Sequence, residues 1–239
     1  DMDMNVPTLK TVKPDTIAGI KMDFLAKVYD SNSLIGDKLT TLAFNTIGIS
    51  SENSSHIPKQ IYDITNLLKS IPQGSFILKI IDVFEKTVDA EISYCTSPLP
   101  KKAAVLDDLD KFTDKLFIKD QIRLEPRYIG KLSTFTTNML GKQTYIRKNH
   151  IADILLVKAI IKIILKKING TDSKTVVKLA NELLAGLDEI SKLDLARQNI
   201  EFKNILRKYG KSSKMGRILK NLSPEQAYLY DYIIKIEKT

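Results

Sequence analysis

Apolar side chains are densest between residues 150 and 168, where the sequence reads HIADILLVKAIIKIILKKI. On a helical wheel they surround almost the whole circumference, whereas a surface helix leaves one broad polar face. Lys158, Lys162 and Lys166 form one narrow charged ribbon, and each would cost about 2.5–3.5 kcal/mol at a bilayer centre. The pattern predicts the buried central helix of a bundle, with lysine heads reaching water past their apolar stems. A helix lying in a membrane interface is the alternative.

Apolar residues recur at intervals of three and four along most of the remaining chain, which is typical of amphipathic helices. Proline and glycine are scarce, at 8 and 10 residues, and this favours helices over an all-β fold with many turns. We expect an all-α, multi-helix bundle of roughly nine to eleven helices around the central helix at about 150–168. The other predicted helices cover about 15–28, 33–47, 58–71, 75–94, 103–118, 128–140, 172–190, 195–209, 213–220 and 223–236.

Charge divides the chain into two halves. Residues 1–100 hold 9 basic and 12 acidic residues, whereas residues 101–239 hold 28 basic and 16 acidic residues. The segment 96–102, which contains two prolines, marks the change and is a possible subdomain boundary. Because this segment is short, we predict a single α-helical domain over 1–239, with an acidic N-terminal half and a basic C-terminal half.

The densest positive segment spans residues 203–220 and contains no acid. Such a segment could bind an acidic protein, a glycan or a nucleic acid, or it could be a pair of solvated helices. Lysine outnumbers arginine by 31 to 6, which weakens the case for base or bidentate phosphate recognition. The predicted partner-binding residues are Lys203, Arg207, Lys208, Lys211, Lys214, Arg217 and Lys220.

Residues suited to catalysis or metal binding are few. Cys95 is the only cysteine, which excludes an internal disulfide, and the histidines are His56 and His150. His150 and Asp153 are three residues apart and would share a helical face, but two ligands are too few for a zinc site. Glycine-rich phosphate loops are missing from the sequence. We therefore expect no catalytic residues, no metal and no cofactor, and we lean towards a non-enzymatic protein.

Three Asn-x-Ser/Thr sequons occur, at Asn53, Asn169 and Asn221, in predicted loops or at helix boundaries. The chain begins with Asp1, which is consistent with a removed leader. We predict a helical binding protein, secreted or exposed at a surface, that engages a macromolecular partner or a small apolar ligand and has no transmembrane segment. The alternative is an intracellular, cytoplasmic nucleic-acid-binding protein that uses residues 197–220.

Overall fold

The computed structural model describes residues 9–12, 16–17, 20–21, 26–50, 56–71, 76–96, 98–119, 121–138, 140, 145–210 and 212–238. Ten α-helices over these residues confirm the predicted all-α, multi-helix bundle. The helices are α1 Ser31–Thr40, α2 Ile57–Ser70, α3 Phe76–Tyr94, α4 Lys102–Asp110, α5 Pro126–Asn138, α6 Arg147–Ile168, α7 Ser173–Lys192, α8 Leu195–Tyr209, α9 Lys214–Leu219 and α10 Pro224–Lys238, with a 3₁₀ helix at Phe112–Lys115.

Helix α6 is the predicted central helix. Its buried side chains run from His150 to Ile164 and lie on every side of the helix. Helices α2, α4, α7 and α10 pack around it, so an apolar circumference is matched by neighbours on several sides. The prediction of a buried central rod is confirmed.

The lysine ribbon of α6 differs from the prediction that its heads reach water. The side chains of Lys158 and Lys162 are only 13% and 18% exposed, and both ammonium groups pair with Asp110 at the end of α4. Lys162 also lies 2.9 Å from the carboxylate of Glu237 in α10. The pattern within α6 could not show this pairing, because the acids, Asp110 and Glu237, belong to two other helices.

The predicted first helix, starting at Asp15 or Thr16 and ending near Val28, is wrong over the described residues. Strands β1 Leu9–Val12 and β4 Ala26–Tyr29 pair antiparallel, and so do β2 Thr16–Ile17 and β3 Ile20–Lys21. Their β-branched residues lose side-chain freedom in a helix and favour extended backbone.

Two further helices end earlier than predicted. Helix α1 stops at Thr40 instead of residue 47, and α4 stops at Asp110 before the short 3₁₀ helix. The buried carboxylate of Asp108 accepts hydrogen bonds from the backbone N–H of Asn45 at 2.6 Å and the hydroxyl of Thr46 at 3.1 Å. The spacing of apolar residues cannot predict this turn, because it is held by a side chain from a helix that is distant in sequence.

The predicted helix starts near the C-terminus are confirmed. Asp172 caps α7 by accepting a hydrogen bond from the Thr175 N–H at 3.0 Å. Ser223 and Gln226 form a reciprocal capping box at α10: the Ser223 N–H donates to the Gln226 side chain at 3.0 Å, and the Gln226 N–H donates to Ser223 Oγ at 3.3 Å.

The main apolar core draws residues from both sides of the segment 96–102, from Ile35 in α1 to Ile236 in α10. A second, small cluster consists of the buried residues Leu219, Leu222 and Ala227. The single-domain organisation and the subdomain boundary stay predictions.

Replacing Gly36 with alanine should destabilise the protein, because the new Cβ would lie 2.8 Å from the Ile80 carbonyl oxygen and 2.9 Å from Val83 Cβ. The equivalent change at Gly130 of α5, where no described atom outside the helix's own backbone lies within 4 Å of the new Cβ, should be neutral or stabilising by about 0.5–1 kcal/mol. The difference in free energy of unfolding between the two variants should be about 1–3 kcal/mol, measured by chemical denaturation. Equal stabilities would contradict the close packing of α1 on α3.

Candidate ligand-binding groove

The basic segment lies on two helices that contact each other, α8 and α9. Lys203, Arg207 and Lys208 are on α8, Lys214 and Arg217 are on α9, and Lys220 follows α9; all six are exposed. Lys211 lies outside the described residues. The Lys208 ammonium is 2.7 Å from the Asp231 carboxylate of α10, which also accepts a hydrogen bond from the Tyr209 hydroxyl.

Helix α8 has no buried residue of its own and packs through half-buried apolar side chains. Four of them contact the small second core cluster rather than the main core: Phe202, Ile205, Leu206 and Tyr209. Their spacing of three and four residues places them on one face of the helix. This face holds α8 in place, and the basic side chains occupy the remaining surface.

A half-open groove of about 880 Å³ lies between α9 and the segment after the 3₁₀ helix. That segment is fixed by a backbone bridge between Phe117 and Leu124 and by a 2.8 Å hydrogen bond from the Ile118 N–H to the Arg123 carbonyl. The flanking residues Leu116 and Leu124 are each 1% exposed and anchor it in the core. Six apolar side chains line the groove: Phe117, Ile118, Ile122, Met215, Ile218 and Tyr230.

The groove brings part of the basic segment to an apolar surface. Lys214, Met215 and Ile218 fall within about 100° on the α9 wheel, and Arg217 is not among the residues that line the groove. Lys214 and, from the opposite segment, Lys119 are exposed charged residues of the lining, together with Asp114. Lys214 is therefore the one predicted partner-binding residue that lines the groove among those the structure describes.

The sequence predicts a helix over about 103–118 and an irregular segment over 119–127, and it gave no indication that Phe117, Ile118, Lys119, Gln121 and Ile122 line a groove. The apolar trio Phe117, Ile118 and Ile122 was the available signal. Nothing in the periodicity indicated that α9 would pack opposite it, because that pairing depends on contacts between residues about a hundred positions apart.

The structure places His150 and Asp153 in a buried chain of polar groups. The Tyr128 hydroxyl lies 2.7 Å from His150 Nε2, and the Tyr145 hydroxyl lies 2.8 Å from His150 Nδ1. Tyr145 also donates a hydrogen bond to Asp153. The other Asp153 carboxylate oxygen pairs with the Lys69 ammonium at 3.4 Å. The chain ties α2, α5 and α6 together.

The donors and acceptors in this series of buried hydrogen bonds determine which ring nitrogen of His150 carries the proton. Tyr145 has one hydroxyl proton, which it donates to Asp153, so His150 Nδ1 must donate to the Tyr145 oxygen. His150 Nε2 then accepts from the Tyr128 hydroxyl. Burial lowers the pKa of His150 from 6.5 to about 3, so the ring is neutral at pH 7.

The other members of the chain also have shifted pKa values. Burial raises the pKa of Tyr128 well above its usual range. The pKa of Tyr145 rises in the same way, through burial first and the Asp153 charge second. Burial also raises the pKa of Asp153, although Lys69 and the Tyr145 hydrogen bond oppose the shift. These groups form a satisfied polar network inside the bundle.

Metal binding has no support from the described part of the chain, which contains no group of three or more His, Cys, Asp or Glu side chains able to share an ion. His56 is exposed at the start of α2 and makes no side-chain capping bond. His150 is held by two tyrosines, so its two ring nitrogens are occupied.

Two of the three sequons lie at exposed positions. Asn169 follows α6 and Asn221 follows α9, and both side chains are exposed. Asn53 lies outside the described residues. Glycosylation and a secreted or surface location stay predictions.

Comparison of the chain with protein-family models, with curated proteins and with solved structures finds no match. The class of the protein is therefore the one its own fold defines, an all-α multi-helix bundle. Within the described residues, no helix combines the length and the apolarity that crossing a membrane requires.

Replacing His150 with glutamine should change how stability depends on pH. The unfolded histidine takes up a proton near pH 6.5 that the folded one resists until about pH 3. Wild-type stability therefore includes a contribution that is present above pH 6.5 and is lost as the pH falls towards 3, at up to about 1.4 kcal/mol per pH unit. The stability gap between wild type and variant, measured by denaturation at several pH values, should narrow over this range.

Two features make this comparison specific to His150. Asp153, whose raised pKa gives the opposite pH dependence, is present in both proteins, so it enters the difference only through its coupling to His150 by way of Tyr145. The matched control is His56→Gln, which makes the same change of residue type at an exposed position outside the polar network. A constant gap for His150→Gln would contradict the buried neutral ring.

Proposed function

We propose that this chain is a non-enzymatic binding protein that holds a ligand carrying both apolar surface and negative charge. The observation that supports the proposal is the groove between α9 and residues 117–119 and 121–122, in which Lys119 and Lys214 lie among apolar side chains. Its volume of about 880 Å³ is within the roughly 300–1,000 Å³ common for ligand sites.

The apolar lining supplies the driving force in this proposal. Phe117, Ile118, Ile122, Met215 and Ile218 are all half-buried, so each still exposes apolar surface to water. Covering that surface stabilises a complex by about 25 cal/mol for each Å² removed from water. Ile118 and Ile218 pack against neither apolar cluster of the described structure, so their surface serves the groove more than the fold.

The lysines supply charge selectivity. Lys119, which precedes α5, and Lys214, which begins α9, both line the groove. The surrounding C-terminal half carries a large excess of positive charge, which raises the local concentration of anions and speeds their association. A ligand with a negative end is therefore preferred over an uncharged ligand of equal apolar area.

Anilinonaphthalene sulfonate, an apolar anionic dye, should bind saturably to the folded wild-type protein. Ile118→Glu should weaken binding by at least about tenfold, because it places an unpaired charge of the wrong sign in the groove. The measurement is a fluorescence titration, with a cooperative melt showing that each protein is folded.

The matched control for the dye titration is Leu195→Glu. Leu195 is 74% exposed on α8 and does not line the groove, so the same change of residue type should leave dye affinity within about twofold. Equal loss of affinity in both variants, or no loss in either, would contradict the groove as the binding site.

A second candidate function is nucleic-acid binding, favoured by the exposure of all six described basic residues of the segment 203–220. Binding that uses them should weaken steeply as salt increases, since each neutralised phosphate releases counterions. Replacing Lys203, Arg207 and Arg217 together with glutamate should abolish binding to random DNA or RNA at about 50 mM salt, measured by fluorescence anisotropy.

The control for nucleic-acid binding is an equal change of charge on α7, at the exposed residues Lys174, Lys178 and Lys192. This second triple variant should keep most of the affinity if the basic segment is the contact surface. Absence of any wild-type binding at about 50 mM salt would eliminate nucleic acid as the partner.

A further inference from the structure

Most of the surface of α8 is open to solvent, and the side that faces away from the bundle is basic. We propose that this side binds duplex DNA in the major groove; this rests on the second candidate function, nucleic-acid binding. Three observations support the proposal: the exposure of the helix, the charge of its outward side, and the residue types at the centre of that side.

Helix α8 is attached along one narrow face. The four apolar residues that hold it against the small cluster lie within about 100° of one another on a helical wheel: Phe202, Ile205, Leu206 and Tyr209. No residue of the helix is buried, and its 15 residues extend for about 22 Å. An α-helix with its side chains is about 10–12 Å across, which the major groove of B-DNA, about 12 Å wide, can admit.

The outward face of α8, opposite the four attached residues, contains no acid. It consists of six exposed residues: Ala196, Arg197, Ile200, Lys203, Asn204 and Arg207. Glu201 is the acid of the helix and lies about 90° from the centre of the outward face. Arginine is rare in this chain, yet two of the six arginines are on this face. Arginine is also the residue best suited to bidentate contacts with phosphates and bases.

The cations of the outward face are weakly compensated. Lys203 and Arg207 form no ion pair with another described residue. Arg197 lies 3.7 Å from Asp194, and this pair is exposed, so it contributes little. Lys208, beside the outward face, is different because its ammonium is held 2.7 Å from Asp231. The outward face therefore presents positive charge that a polyanion can neutralise.

The centre of the outward face carries side chains that can recognise base edges. Asn204 and Arg207 lie on either side of Ile200, which is 55% exposed. In the major groove asparagine pairs with adenine, arginine pairs with guanine, and an apolar side chain contacts the thymine methyl group. Arg197 and Lys203 lie nearer the edges of the face, where the phosphates of the two strands pass.

Other partners fit the outward face less well. An anionic membrane rewards apolar side chains set between the cations, and Ile200 is the large apolar residue of this face, because Leu195 lies about 150° from its centre. A second copy of the chain crossing antiparallel at Ile200 would place Arg197 opposite Lys203, and like charges repel. Duplex RNA has a major groove that is too narrow to admit a helix.

The test begins with the full chain and a pool of random DNA duplexes, from which the most tightly bound sequence is selected. Fluorescence anisotropy at about 100 mM salt then compares three labelled probes: the selected duplex, a random duplex, and duplex RNA of the selected sequence. The selected DNA should bind at least about tenfold more tightly than either of the others.

Variants separate base recognition from phosphate binding. Asn204→Ala should weaken binding of the selected duplex by about tenfold and leave binding of the random duplex within about twofold. Asn199→Ala is the matched control, because Asn199 is exposed on the same helix about 110° from the centre of the outward face, and both affinities should stay within about twofold. Arg207→Lys keeps the charge and loses the bidentate geometry, so it should act like Asn204→Ala. A cooperative melt shows that each variant is folded.

The possible failures are distinguishable. Binding of random duplexes with no sequence selected, or equal affinity for duplex RNA, overturns the major-groove inference and leaves nucleic-acid binding as a candidate function. Equal effects of Asn204→Ala and Asn199→Ala also overturn the inference. Absence of binding to DNA and RNA at about 50 mM salt overturns both the inference and the candidate function. Binding to anionic vesicles or polyglutamate in place of nucleic acid overturns both as well.

Discussion

The whole bundle depends on the removal of helix α6 from water. Its apolar residues occupy every side, so no single partner helix could cover them, and α2, α4, α7 and α10 must all be present at once. A core that needs four neighbours forms cooperatively, since each contact is useful only when the others exclude water as well. The polar groups of α6 follow the same constraint: Lys158, Lys162, His150 and Asp153 all find partners on surrounding helices.

The candidate groove is a consequence of what this core leaves uncovered. The main cluster fills the space around α6, while α8 and α9 are attached at one side through a few half-buried residues and the small cluster around Leu219. The surface of α9 is not fully packed against the main body, and the space between them is the groove. The groove is thus formed by parts fixed in the bundle, the segment near Leu124 and the side of α10 with Tyr230, and by the short helix α9, which is packed on the small cluster.

The spacing of apolar residues was sufficient to predict features that are determined within a single helix. The helical spans of α2, α3, α7 and α8, and the caps at Asp172 and Ser223, follow from spacing and local hydrogen-bonding chemistry. It failed where distant residues decide the outcome. Asp108 holds the turn at Asn45 and Thr46 that follows α1, and the strands near the N-terminus pair Leu9 with Tyr29. The groove was missed for the same reason, and the basic segment was predicted without the apolar wall opposite Lys214.

Because the small cluster is separate from the main core, α8 and α9 can detach at a free-energy cost that differs from that of unfolding the whole protein. Detaching them would expose Leu219, Leu222 and a few half-buried side chains and break the contacts of Lys208 and Tyr209 with Asp231, but it would leave the surroundings of α6 closed. This local detachment costs less free energy than global unfolding, so the detached state is more populated than the unfolded state. Because one wall of the groove belongs to α9 and the other to the main body, any molecule that binds both walls also opposes the detachment of α9. Ligand binding in the groove and the attachment of α9 to the main body are therefore thermodynamically linked, and each stabilises the other.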